Sequence, residues 1–145
     1  MGTLREILKT KGSEVLTISP VATVLEAVCR MNEHRVGALV VMERGRVVGI
    51  FTERDILRRV VGEQRPPAAI AVAEVMTRNV ICCDPSTTVE EAGRLMKDRR
   101  VRHVPVCDSA GRLVGMVSIG DLNAYHLRAQ EAAIRSLEDY VYSGL

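Results

Sequence analysis

Residues 15–31 read VLTISPVATVLEAVCRM, and residues 80–96 read VICCDPSTTVEEAGRLM. Aligned, they place Pro20 on Pro85, Thr23 on Thr88, Glu26 on Glu91 and Met31 on Met96, every pair 65 residues apart. Downstream, Val36 falls on Val101 and Val41 on Val106. After one inserted residue, Gly45 falls on Gly111, Gly49 on Gly115 and Asp55 on Asp121. A match kept over such a span marks one supersecondary unit used twice.

Within each copy the spacing of apolar residues changes in a fixed order. A short β-rich run, VLTI or VICC, meets a proline, which cannot donate to a ladder and ends the strand. Thr23 or Thr88 then stands three residues before Glu26 or Glu91, the capping-box spacing, ahead of an amphipathic helix that stops before Val36 or Val101. Next, GALVVMERGRVVGIF and HVPVCDSAGRLVGMV each hold two apolar runs around a charged, glycine-containing turn, which predicts a hairpin. Thr52-Glu53-Arg54-Asp55 and Ser118-Ile119-Gly120-Asp121 then open a second helix.

The fold expected is α+β, with two strand-helix-strand-strand-helix repeats related by a pseudo-twofold axis. Three strands carrying helices on one face leave apolar surface uncovered, so the units should pack on each other with a cleft between equivalent surfaces. The boundaries expected are 1–61 for the first repeat, 62–71 for a surface linker around Pro66 and Pro67, 72–126 for the second repeat, and 127–145 for a C-terminal helical extension. In that extension Leu127, Ile134, Leu137 and Val141 keep near-heptad spacing, interrupted by Gln130. Such a stripe suits either the chain's own core or a second subunit.

Composition narrows the function. The 145 residues carry 20 basic and 18 acidic side chains, a net charge of +2, so no excess drives non-specific nucleic-acid binding. Aromatic content of 3% with no Trp weakens any platform for stacking bases. Cys29, Cys82, Cys83 and Cys107 show no metal-ligand spacing, and no apolar run is long enough for a membrane span. The charged N-terminal stretch lacks the apolar run of a signal peptide, so a reducing cytoplasm is expected. Nucleotide-hydrolase loops, metalloprotease helices and nucleophile elbows are absent, and no enzyme is expected.

The doubled Thr/Ser-x-x-Asp supports two readings. In one, the hydroxyl and the carboxylate merely cap a helix. In the other, the helix N-terminus with its hydroxyl seats a phosphate, while the aspartate turns outward to a pair of ribose hydroxyls. The surroundings of the two copies differ: Arg54 stands beside Asp55, whereas Arg99, Arg100, Arg102 and His103 concentrate in the second unit. At least one of Arg99 and Arg100 is expected only to solvate a helix end.

Taken together, the doubled pattern, the run RHVPV at residues 102–106, the turn GRLVG at 111–115 and both Thr/Ser-x-x-Asp motifs resemble the CBS-domain family, and the tandem resembles a Bateman module. The layout is similar to stand-alone, bacterial-type signal-transduction members. The resemblance implies a regulatory module, often dimeric, that binds adenosine-containing ligands such as AMP, ADP, ATP, NAD-type dinucleotides or S-adenosylmethionine between its repeats. It further implies one site with Ser118 and Asp121 on ribose and phosphate and Val36, Gly37 and Ala38 bordering adenine. The symmetric site would use Thr52, Arg54 and Asp55, with Val101, Arg102 and His103 opposite. Val15, Ile18, Val80 and Cys83 would complete a flat purine slot. The competing reading is a ligand-independent dimerisation scaffold.

Overall fold

The computed structural model describes residues 2–143. Its elements are α1 (Leu4–Lys11), β1 (Thr17–Ile18), α2 (Val24–His34), β2 (Ala38–Glu43), β3 (Arg46–Thr52) and α3 (Glu53–Asp55), which runs on as a π-helical turn (Ile56–Val61). Then follow α4 (Val72–Val75), α5 (Val89–Arg99), β4 (His103–Cys107), β5 (Leu113–Ser118) and α6 (Ile119–Ser143). The fold is α+β with two repeats.

Local chemistry sets the shared elements. Thr23 Oγ1 accepts the Glu26 N–H at 3.1 Å while Glu26 returns a carboxylate to the Thr23 N–H at 3.1 Å, so α2 starts on a complete capping box. At α5 only the forward half forms, Glu91 N–H to Thr88 Oγ1. Both helices end on an arginine in the left-handed region, Arg35 and Arg100, each at φ 55°. Between β2 and β3 the two-residue turn Arg44-Gly45 has φ of 51° and 75°, and Glu43 pairs with Arg46 across it. Positive φ at both central residues matches the twist of the flanking strands.

The first unit forms a three-stranded sheet in the order β1-β2-β3, with β1 parallel to β2 and β3 antiparallel. The second is a two-stranded sheet, β4 against β5. The strand expected at VICC is reduced to one parallel bridge, Cys83 with Val106. Its upstream end is held elsewhere: Thr77 exchanges two backbone hydrogen bonds with Ile50 of the first unit, at 3.0 and 2.9 Å.

Repeats and packing units do not coincide. Residues 4, 7 and 8 of α1 belong to the core of the second unit, with Val89, Met96, Val104 and Leu122. In turn Ile70, Val72, Val75 and Met76 belong to the core of the first, with Val24, Leu39 and Phe51. The two crossings share one hydrogen-bond plan. Val72 and Ala73 donate to Ala22 O and Pro20 O, and Val24 donates back to Ile70 O; Leu4 and Arg5 donate to Thr87 O and Pro85 O, and Val89 donates back to Gly2 O.

Each crossing thereby satisfies first-turn N–H groups that a helix cannot satisfy itself. Close approach is made possible by glycine. A Cβ on Gly49 would stand 2.6 Å from Met76 Sδ, and one on Gly115 would stand 2.6 Å from Leu8 Cδ2. The linker expected to be a surface loop is therefore anchored at its end, with Ile70 buried, because its carbonyls cap α2.

Candidate functional site

A cleft of about 320 Å³ opens between the units at the first Thr-x-x-Asp. One wall carries Gly37, Thr52, Glu53, Arg54, Asp55 and Arg58, and the other carries Arg100, Val101, Arg102 and His103. The volume lies in the range of small-molecule sites. Four arginines face two carboxylates, an excess of positive charge suited to an anion with several acceptor oxygens.

Asp55 is the buried charged residue of the chain's described part, 5% exposed. Its Oδ2 accepts from the Thr52 N–H at 3.0 Å and from Thr52 Oγ1 at 3.3 Å; its Oδ1 accepts from Thr77 Oγ1 at 3.1 Å, with Arg59 Nε 3.8 Å away. The carboxylate expected to turn outward thus turns in, because the end of β3 and the Thr77 hydroxyl offer donors that burial obliges it to take. Of its roughly four acceptor positions, about one on Oδ1 is left for a ligand. Arg54 ties the walls together: its Nη1 donates to Arg100 O, the carbonyl at the end of α5, at 2.7 Å.

His103 begins β4, paired with Ser118. Burial pushes its pKa down, against the pull of Glu53 and Asp121, and Lys11 and Arg102 push the same way as burial, so the ring holds below the usual histidine value. It is a neutral donor or acceptor at pH 7.

The second corner is built differently. Ser118 N–H donates to Asp121 Oδ2 at 2.8 Å and Asp121 N–H donates to Ser118 Oγ at 3.1 Å, the same reciprocal cap. Where Thr77 supplies a backbone N–H to Ile50 O and a hydroxyl to Asp55, the second corner receives one ammonium. Lys11 Nζ donates to Met116 O at 2.8 Å and to Asp121 Oδ2 at 2.7 Å. Burial pushes the Asp121 carboxyl up, but the Lys11 and Ser118 hydrogen bonds and the ammonium's charge outweigh it and hold it below its usual value. The two corners therefore share a cap and differ in charge.

Of the residues expected at a site, Gly37, Thr52, Arg54, Asp55, Val101, Arg102 and His103 border the cleft, whereas Ser118 and Asp121 form the separate second corner. Val36 and Ile18 pack against the core of the first unit, Ala38 is buried, and Cys83 lies in the core of the second. Val15 and Val80 are half-buried and outside the cleft's lining. The purine slot expected from Val15, Ile18, Val80 and Cys83 is not part of this cleft: Ile18 and Cys83 pack on the two units' own cores, and none of the four lines it.

Missing from the expectation were Glu53, Arg58, Thr77 and the lining role of Arg100. Arg58 could have been found as the basic residue one turn beyond Asp55; Thr77 had no local signal. Among the described residues no group of three or more His, Cys, Asp or Glu is placed to hold a metal, and no helix is long and apolar enough to cross a membrane.

Comparison with known proteins matches this geometry to a family. The CBS domain profile matches the chain twice, at residues 4–62 and 72–127. The mitochondrial CBS domain-containing protein CBSX3 of Arabidopsis thaliana is 36% identical over 151 aligned positions, covering 98% of this chain and 73% of the relative. A CBS-domain containing protein from Agrobacterium tumefaciens superposes with a TM-score of 0.80 at 37% identity, covering 86% of this chain and 98% of that one. The CBS domain pair of protein MJ0100, solved in complex with 5-methylthioadenosine and S-adenosyl-L-methionine, superposes with a TM-score of 0.76 at 26% identity, covering 86% and 98%. Two matched repeats with crossed first helices and a cleft between them make this chain a member of the CBS-domain family, a tandem CBS regulatory module.

Proposed function

We propose that the cleft binds an adenosine-containing nucleotide, AMP, ADP, ATP or an NAD-type dinucleotide, and that occupancy is passed to a regulated protein. The observation that carries the reading is the ring of Arg54, Arg58, Arg100 and Arg102, drawn from both units around one cleft. Phosphate oxygens would take the guanidinium forks, the Thr52 corner would add its hydroxyl, and the free position on Asp55 Oδ1 would take one ribose hydroxyl. The bound adenosine compounds of the MJ0100 pair support the adenosine half of the ligand.

A ligand touching Arg54 and Arg102 at once would favour one setting of the two units, which is the differential affinity a switch requires. The module works without catalysis, in the cytoplasm and as a homodimer. A second reading, a scaffold whose motifs are only caps, draws on the near-complete saturation of Asp55 by the chain's own donors.

Thermal unfolding with AMP, ADP, ATP, NAD and S-adenosylmethionine separates the two. A ligand at about 1,000 times its dissociation constant stabilises by about 4 kcal/mol, a rise of roughly 10 °C for a chain this size. Arg102→Ala should blunt the response. A flat midpoint across the whole panel would leave the scaffold reading standing.

A further inference from the structure

The family match ends at residue 127, but α6 continues to Ser143. Leu122 and Tyr125 are its last side chains on the core, and from His126 to Ser143 every residue is exposed. Beyond Tyr125 the helix draws no stability from packing on its own module, although such packing is what stabilises most protein helices. Its apolar residues are also ordered: Leu127, Ile134, Leu137 and Val141 are 57%, 55%, 65% and 60% exposed and fall at a, a, d and a of one heptad frame. An exposed apolar stripe of this length, broken at Gln130, is uncommon on a monomer's surface.

The flanking charges select the occupant. In this frame Glu131 and Glu138 both fall at e, and His126 falls at the preceding g. Two parallel copies set e against g of the other chain, so Glu131 meets His126 and Glu138 meets Ala133. Antiparallel copies set e against e, carboxylate on carboxylate. Gln130, at d, meets its own copy in a parallel pair, where two amides can hydrogen-bond and fix the register. Within one chain Glu131 and Arg135 stand at the favourable i,i+4 spacing.

We propose that the α6 tails of two copies of this chain pair in parallel as a short coiled coil from Leu127 to Val141. The pairing is self-complementary about a twofold axis and does not depend on the nucleotide reading. It brings the C-terminal ends of two modules together.

The test uses the full chain with the exposed cysteines removed, Cys29→Ser and Cys82→Ser, and one new cysteine, Leu137→Cys. Under mild oxidation in dilute solution it should crosslink to its own copy, because d positions face each other in a parallel pair. Absence of that crosslink overturns the proposal. Preferential crosslinking of a mixture of Ile134→Cys and Leu137→Cys chains, over either alone, overturns the parallel orientation. Ile134→Lys, in a segment with no core contacts, should leave the module folded by circular dichroism and weaken association by more than about 100-fold, since the layer is lost from both copies. An unchanged dissociation constant in that variant also counts against the proposal.

Discussion

Replacing Asp55 by alanine should cost about 2–4 kcal/mol of folding stability, summing an orphaned, partly buried backbone donor and a lost hydroxyl hydrogen bond. The reasoning starts from its donors. The Thr52 N–H sits 3.0 Å from Oδ2 at the partly buried end of β3, and without the carboxylate it loses its acceptor, at about 1–3 kcal/mol. The Thr77 hydroxyl loses its acceptor as well, which adds about 1 kcal/mol. The matching change at Asp121 removes the same kind of cap, but that side chain is 23% exposed and its Lys11 partner 36%, so water compensates. Asp121→Ala should therefore cost about 1–2 kcal/mol, the exposed ion pair adding at most about 1. Asp55→Asn distinguishes hydrogen bonding from charge. An amide oxygen can replace Oδ2 toward the Thr52 N–H, and the Thr77 hydroxyl can turn to accept from the amide nitrogen, so asparagine should recover more than half of the alanine loss. Urea unfolding with linear extrapolation measures all three. Equal losses at Asp55→Ala and Asp121→Ala within about 0.5 kcal/mol, or no recovery with asparagine, would refute the assignment of Asp55 as a buried structural acceptor.

Two further outcomes follow from contacts described above. Because the Asp121 carboxyl titrates below its usual value in the folded chain, its stabilising contribution is complete above the unfolded value near about 3.9 and is lost as pH falls through the lower folded value; Lys11→Met should shrink that acid-side loss in an unfolding series from pH 6 to 2. Gly49→Ala places a methyl 2.6 Å from Met76 Sδ and 3.0 Å from the Thr77 carbonyl, and should destabilise by about 1–3 kcal/mol, with Met76→Ala in the same chain relieving only the side-chain part of the clash, as denaturant midpoints will show.

What could be read from the sequence was what is encoded locally. Thr23 with Glu26, the turn at Arg44-Gly45 and the breaks at Pro20 and Pro85 each act within a few residues, so their spacing carried the repeat, the helices and the hairpins. The cleft was legible as far as it lies on those elements: aligning the copies marked Thr52 and Asp55, and the family resemblance put Val101, Arg102 and His103 opposite them. The exchange of first helices was not legible, because Leu8 meets Gly115 and Met76 meets Gly49 through packing alone. A glycine inside each strand was the one hint, since such a residue often marks another chain segment close by. Lys11 on Asp121, 110 residues apart, left no pattern at all. The inward turn of Asp55 followed from a hydroxyl on Thr77, a residue the repeat alignment gave no reason to inspect.

The exchange of α1 and α4 also dictates an order of assembly. On a growing chain the first unit can close its core once Met76 has been made, whereas α1, made ahead of that unit, has nowhere to dock until β5 and Leu122 exist. A segment made ahead of the first unit thus settles after it, and it serves as the closing strap of the second. Deleting residues 2–12 would spare the first unit and unravel the second.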